Sequence, residues 1–138
     1  MIEELRVLKS FCNAFGWPTE ESDERVFRTE VPTESGERKT FWILSTDNLI
    51  ELSVQSGLSF AEETGFPGIV STMMLNLNSK MDYGFWCLES LSGNEVASVM
   101  HNIAPEDLDK ATFRAIVTKM VSSCASFEKT IASVADEL

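Results

Sequence analysis

The stretch Tyr83–Ile103, YGFWCLESLSGNEVASVMHNI, decides how this chain reads. Two runs rich in aromatic and β-branched residues flank Ser92-Gly93-Asn94, a composition that suits the left-handed backbone of a tight reversal, so the segment predicts a β-hairpin. Successive strand side chains point to opposite faces. Phe85 and Cys87 therefore oppose Trp86 and Leu88, and the first strand is apolar on both sides. TFWILST at Thr40–Thr46 repeats the pattern, with Phe41 and Ile43 on one side and Trp42 and Leu44 on the other. An antiparallel sheet with one side in water normally keeps that side polar. Two apolar sides predict a sheet covered twice, by the chain's own helices, by a second copy or by a partner.

Outward from these strands, Leu49–Ser56 alternates plainly, with Ile50, Leu52 and Val54 on one side and Glu51, Ser53 and Gln55 on the other, as in a half-buried strand. Arg25–Val31, closed by Pro32 and preceded by the acidic stretch Glu20–Glu24, predicts a short strand at a sheet edge. Gly57–Gly65 reads as a connection. Ile2, Leu5, Leu8, Phe11, Cys12 and Phe15 recur at helical spacing, and Gly16 and Pro18 stop that helix with Trp17 folded back upon it. Pro67 opens a second helix through Ile69, Val70, Met73, Met74 and Leu77 to about Ser79. Pro105, Glu106, Asp107 and Asp109 set negative charge at the start of a long last helix carrying Phe113, Ile116, Val117, Met120, Val121, Cys124, Phe127, Ile131 and Val134. The order is αβββαββα: one α+β domain spanning 1–138, an antiparallel sheet packed with helices.

Composition narrows the function classes. A chain of 138 residues, 43% hydrophobic and 24% charged, can build one core, and no apolar run is long enough to span a bilayer. Twenty-two acids against eleven bases leave a net charge of −11, which repels phosphate backbones and anionic lipid. Nucleic acid and membrane are not expected partners. Cys12, Cys87 and Cys124 are widely spaced inside apolar periodic segments and read as small buried hydrophobes, not as disulfide partners or metal ligands. The opening MIEELRVLKS has no apolar stretch after a basic one, so a cytoplasmic, reducing location is expected.

The chain offers little to catalysis. Gly57-Leu58-Ser59-Phe60-Ala61 nearly matches a nucleophile elbow, but Ala61 replaces the last glycine and no helix follows at once. Cys87 with His101 could form a thiol site only if the hairpin register put them on one face; if Glu89 pairs with Val96, they point apart. Glu106, Asp107 and Asp109 lack a calcium-loop pattern and read as helix-start acids. No catalytic residue, metal or cofactor is expected.

A helix ending in Phe15-Gly16-Trp17, the segment Leu75-Asn76-Leu77-Asn78, an aromatic strand, the Ser92-Gly93-Asn94 turn and a long last helix together resemble the YbjN-like family, which is similar in fold to type III secretion chaperones. The likeness runs over roughly Leu5 to Ile131. It implies a compact sheet flanked by helices, often paired as a homodimer, and in the secretion chaperones an acidic protein holding an extended segment of a client. It supplies no catalytic residues. Family members often carry a charged stretch after the fourth strand, where this chain has Leu91-Ser92-Gly93-Asn94.

The resulting expectation is a non-enzymatic, chaperone-like protein-binding domain, a homodimer with helices one and three on one sheet face. Trp42, Leu44, Trp86 and Met100 are its candidate binding surface, with aromatic anchors supplying affinity and an acidic rim supplying solubility. The alternative is a small-ligand-binding domain or regulatory subunit with an aromatic pocket and His101 as its polar member.

Overall fold

The helical spacing that begins at Phe113 becomes a 24-residue helix in the computed structural model, which describes residues 1–137 and leaves Leu138 of the expected domain outside the described residues. Around it the chain runs α1 (Glu3–Phe15), β1 (Thr19–Asp23), β2 (Val26–Pro32), β3 (Arg38–Ser45), β4 (Ile50–Ala61), α2 (Gly68–Asn78), β5 (Phe85–Leu91), β6 (Asn94–Ile103) and α3 (Lys110–Ser133). Short 3-10 turns occupy Pro105–Asp107 and Ala135–Glu137. Asp109 caps α3 by accepting a hydrogen bond from the Thr112 N–H at 2.7 Å, satisfying one of the donors left open at a helix start.

All six strands form one antiparallel sheet in the order β1-β2-β3-β4-β6-β5. The fold class is the α+β architecture read from the sequence, with an additional strand. The acidic stretch before β2 is itself β1, so β2 is an inner strand and β1 takes the edge. The second difference lies in β4, which continues to Ala61 where a connection was expected. Between Gln55 and Ser59 the strand bulges, advancing four residues while β6 advances two, from Ser98 to Val96. The Ser56 hydroxyl holds the bulge, donating to the Ala97 carbonyl at 2.7 Å and accepting from the Leu58 N–H at 3.0 Å. Ser59 thus sits inside a strand paired with Val96, and no strand-to-helix elbow exists there.

Helices α1 and α3 lie together on one sheet face. Leu5, Leu8 and Cys12 of α1 and Phe113, Ile116, Val117, Met120, Val121 and Cys124 of α3 are buried against Phe27, Phe41, Ile43, Leu52, Val54 and Val99. Glu128 ties α3 to the strands: it pairs with Lys39 of β3, accepts the Gly57 N–H of the β4 bulge at 3.3 Å, and meets the Cys124 thiol at 3.4 Å.

The β5–β6 hairpin closes through Ser92 and Gly93, both with positive φ (51° and 83°), as a two-residue reversal requires. The outer edge of β5 is partly closed by α2. Asn78 imitates a neighbouring strand, accepting from the Trp86 N–H at 2.5 Å and donating to the Trp86 carbonyl at 3.1 Å. Asn78→Ala removes both bonds and is expected to lower unfolding free energy by about 1–3 kcal/mol. Denaturant titration beside Asn76→Ala, an exposed neighbour with no such bonds, checks this; equal midpoints would refute it.

Candidate binding surface

Register fixes which side each aromatic residue takes. Trp42 pairs with Ser53, Ser53 with Met100 and Met100 with Phe85, so one row crosses β3, β4, β6 and β5 on the face away from α1 and α3. The row extends through Arg28 of β2 to Glu20 of β1. The Arg28 guanidinium sits 5.7 Å from the centre of the Trp42 ring and 2.7 Å from the Glu20 carboxylate, which props the indole at the β2 end of the band. Leu44 stands in the next row, opposite Val26 and Glu51. Trp42, Leu44 and Met100 are half-buried, and Phe85 is 39% exposed. Glu30, Thr40, Gln55, Ser98 and Glu89 give the rest of that face its polar character, with Thr40 bonded to Glu30 at 3.0 Å and Ser98 to Glu89 at 2.6 Å.

Trp86 does not join the other three candidates. It pairs with Val99, whose partner is Val54, which faces the helices, and only 4% of its surface is exposed. Its ring packs 4.9 Å from that of Phe127 on α3. The sequence grouping of Trp42, Leu44, Trp86 and Met100 therefore divides into three residues on the open face and one beneath α3. Phe85, left out of that grouping, completes the open row; it follows from the Ser92-Gly93 turn once Glu89 is set against Val96.

Side chains with reactive groups are dispersed. The Glu89–Val96 pairing sends Cys87 to the open face and His101, which pairs with Leu52, to the helix face. Burial raises the Cys87 thiol to about 11, and the Cys12 and Cys124 thiols to about 12. None is a thiolate at neutral pH, so an activated sulfur nucleophile is absent among the described residues. His101 accepts the Gly84 N–H on Nδ1 at 3.0 Å, with Tyr83 packed edge-on at 6.1 Å between ring centres. Gly84 has φ +86°, and an added Cβ would come within 2.9 Å of Val99. His101 thus pins the tight entry into β5. No group of three or more His, Cys, Asp or Glu side chains among the described residues could hold a metal ion, and no helix is long and apolar enough to cross a membrane.

No family model matches the chain, and no curated protein matches it. Among solved structures, a chain of the crystal structure of the ExsC–ExsE complex shares its fold, with a TM-score of 0.62 over 90% of each chain at 14% identity. At that identity the likeness is one of fold alone, and it supports the type III secretion chaperone-like architecture that the family resemblance implied. Membership of the YbjN-like family gains no support from these comparisons.

Two outcomes follow from the geometry. Native Cys87 should be alkylated slowly at pH 8, its thiolate fraction being about a hundredfold below that of an ordinary thiol, while denaturation should release all three cysteines; rapid alkylation of the folded protein would contradict the burial described. Desolvation by burial lowers the His101 pKa below the ordinary value. The folded state therefore binds fewer protons, so this contribution is fully present above pH ~6.5 and fades as pH falls through the lowered folded value. Thermal midpoints should drop over that interval in the native protein and less steeply in His101→Gln; parallel profiles would contradict the assignment.

Proposed function

We propose that this chain is a non-enzymatic, chaperone-like protein-binding domain that pairs with itself and holds an extended segment of a partner protein on its open sheet face. The observation that carries this reading is the unmatched coverage of the sheet: one face lies under α1 and α3, while the other carries half-buried Trp42, Leu44 and Met100 and exposed Phe85, and α1 and α3 do not cover it among the described residues. Large aromatic and thioether side chains supply most of the affinity at protein interfaces, and the surrounding carboxylates keep such a surface soluble and select against acidic segments. The solved ExsC–ExsE complex, whose matching chain shares this fold, accords with a protein partner for this chain.

Self-pairing is supported by a different patch. No charged residue occurs from Thr64 to Ser79, a segment that includes all of α2, in a chain of net charge −11. On α2, Ile69 is 61% exposed and Leu75 70%, and the adjoining edge strand β5 exposes Leu88 and Leu91. Two like-charged copies meet at least electrostatic cost where neither carries charge, and exposed apolar side chains gain from the contact. The opposite edge, β1, carries Glu20, Glu21 and Asp23, which discourage such pairing.

The two surfaces separate by substitution. Ile69→Lys with Leu75→Lys should shift sedimentation from a pair of chains to one and leave partner co-elution in place. Trp42→Ala with Met100→Ala should keep the pair and lose the partner by at least tenfold. Unchanged sedimentation in the first and unchanged co-elution in the second would reject both assignments.

A further inference from the structure

A cleft of about 350 Å³ opens between α2, α3 and β5, on the side of the sheet opposite the Trp42 row. Its apolar lining comes from Met73, Leu77, Met81, Trp86 and Phe127, and Lys80 lies on its wall. That size falls at the lower end of small-molecule sites, which pair apolar walls with a few polar groups. Met73 of α2 and Met81 just beyond it let such a wall adapt to the shape of an occupant. Two polar features stand out. The Trp86 indole N–H is buried with no acceptor among the described residues, a donor the chain itself leaves unsatisfied. Lys80 makes no ion pair among the described residues, although acids outnumber bases two to one in this chain.

We propose that this cleft binds a small amphiphilic carboxylate, its aliphatic body between α2 and α3 and its carboxylate served by Lys80 and the Trp86 indole N–H. A carboxylate offers acceptor oxygens and a negative charge, and two residues of the lining carry matching donors, the Lys80 ammonium and the solvent-shielded Trp86 indole N–H. An alcohol of the same length can accept from either donor but forms no ion pair with the ammonium. A cationic amphiphile is repelled by Lys80. The proposal does not rest on the open sheet face, since Trp42, Leu44 and Met100 lie across the sheet from the cleft.

Titration of the full chain with decanoate below its micelle concentration, followed by calorimetry and by tryptophan emission, tests this. The expected result is saturable binding at one site per chain, weakened at least fivefold by Trp86→Phe, which replaces the indole with a smaller aromatic ring lacking the N–H. Lys80→Gln, at an exposed position where thermal unfolding is expected to stay unchanged, should weaken decanoate at least fivefold and 1-decanol less than twofold. Absence of saturation, equal loss of decanoate and 1-decanol in Lys80→Gln, or full binding in Trp86→Phe would each overturn it. Decanoate binding that weakens as self-association rises would instead assign the cleft to a second copy and also overturn it. Partner co-elution and its dependence on Trp42 are read separately, so either proposal can fail alone.

Discussion

Antiparallel register gives this sheet two sides of unequal fate, and the rest of the molecule follows from that inequality. Phe41, Val54, Val99 and Trp86 lie in one row and share a face, while Trp42, Ser53, Met100 and Phe85 lie in the next row and share the other. The helices α1 and α3 can cover only the first. Glu128 fixes α3 to that side by reaching Lys39 on β3 and the Gly57 N–H in the β4 bulge. Stabilisation comes chiefly from apolar burial beneath these helices, so the second row contributes less to folding and remains available for contact.

Much of this was legible in the sequence, and the failures have physical causes. Helical periodicity gave α1, α2 and α3, and alternation gave the inner strands, because each buries one stripe or one side. Strand β1 escaped notice because TEESD buries nothing and has no apolar period. Its strand conformation comes from pairing with β2 and from the ion pairs Lys9–Glu21 at 3.1 Å and Arg28–Glu20 at 2.7 Å. The last part of β4 escaped because the bulge interrupts the alternation on which strand recognition depends. Assigning Trp86 to the same surface as Trp42 failed for a stricter reason. Their relative side depends on register across three strand pairings, and a shift of one residue in any of them reverses the answer.

The candidate site was partly legible for the same reason. That two strands were apolar on both sides could be read directly, and Trp42, Leu44 and Met100 fall on the face that the helices leave open. Phe85 needed the hairpin register. The reactive groups that the sequence singled out are dispersed: Cys87 and His101 stand on opposite faces, Ser59 lies within a strand paired with Val96, and burial pushes the Cys87 thiol up to about 11. What remains prominent is apolar surface, divided between an aromatic row on the sheet and an uncharged helix at its edge, and the proposed function rests on it.

Native mass spectrometry of the protein, isolated gently from the cells that make it, tests that division most directly. The account predicts a particle containing two chains of 15.4 kDa together with at least one further polypeptide, which dissociates when Trp42 and Met100 are truncated. A bare 15.4 kDa particle at every concentration would contradict it.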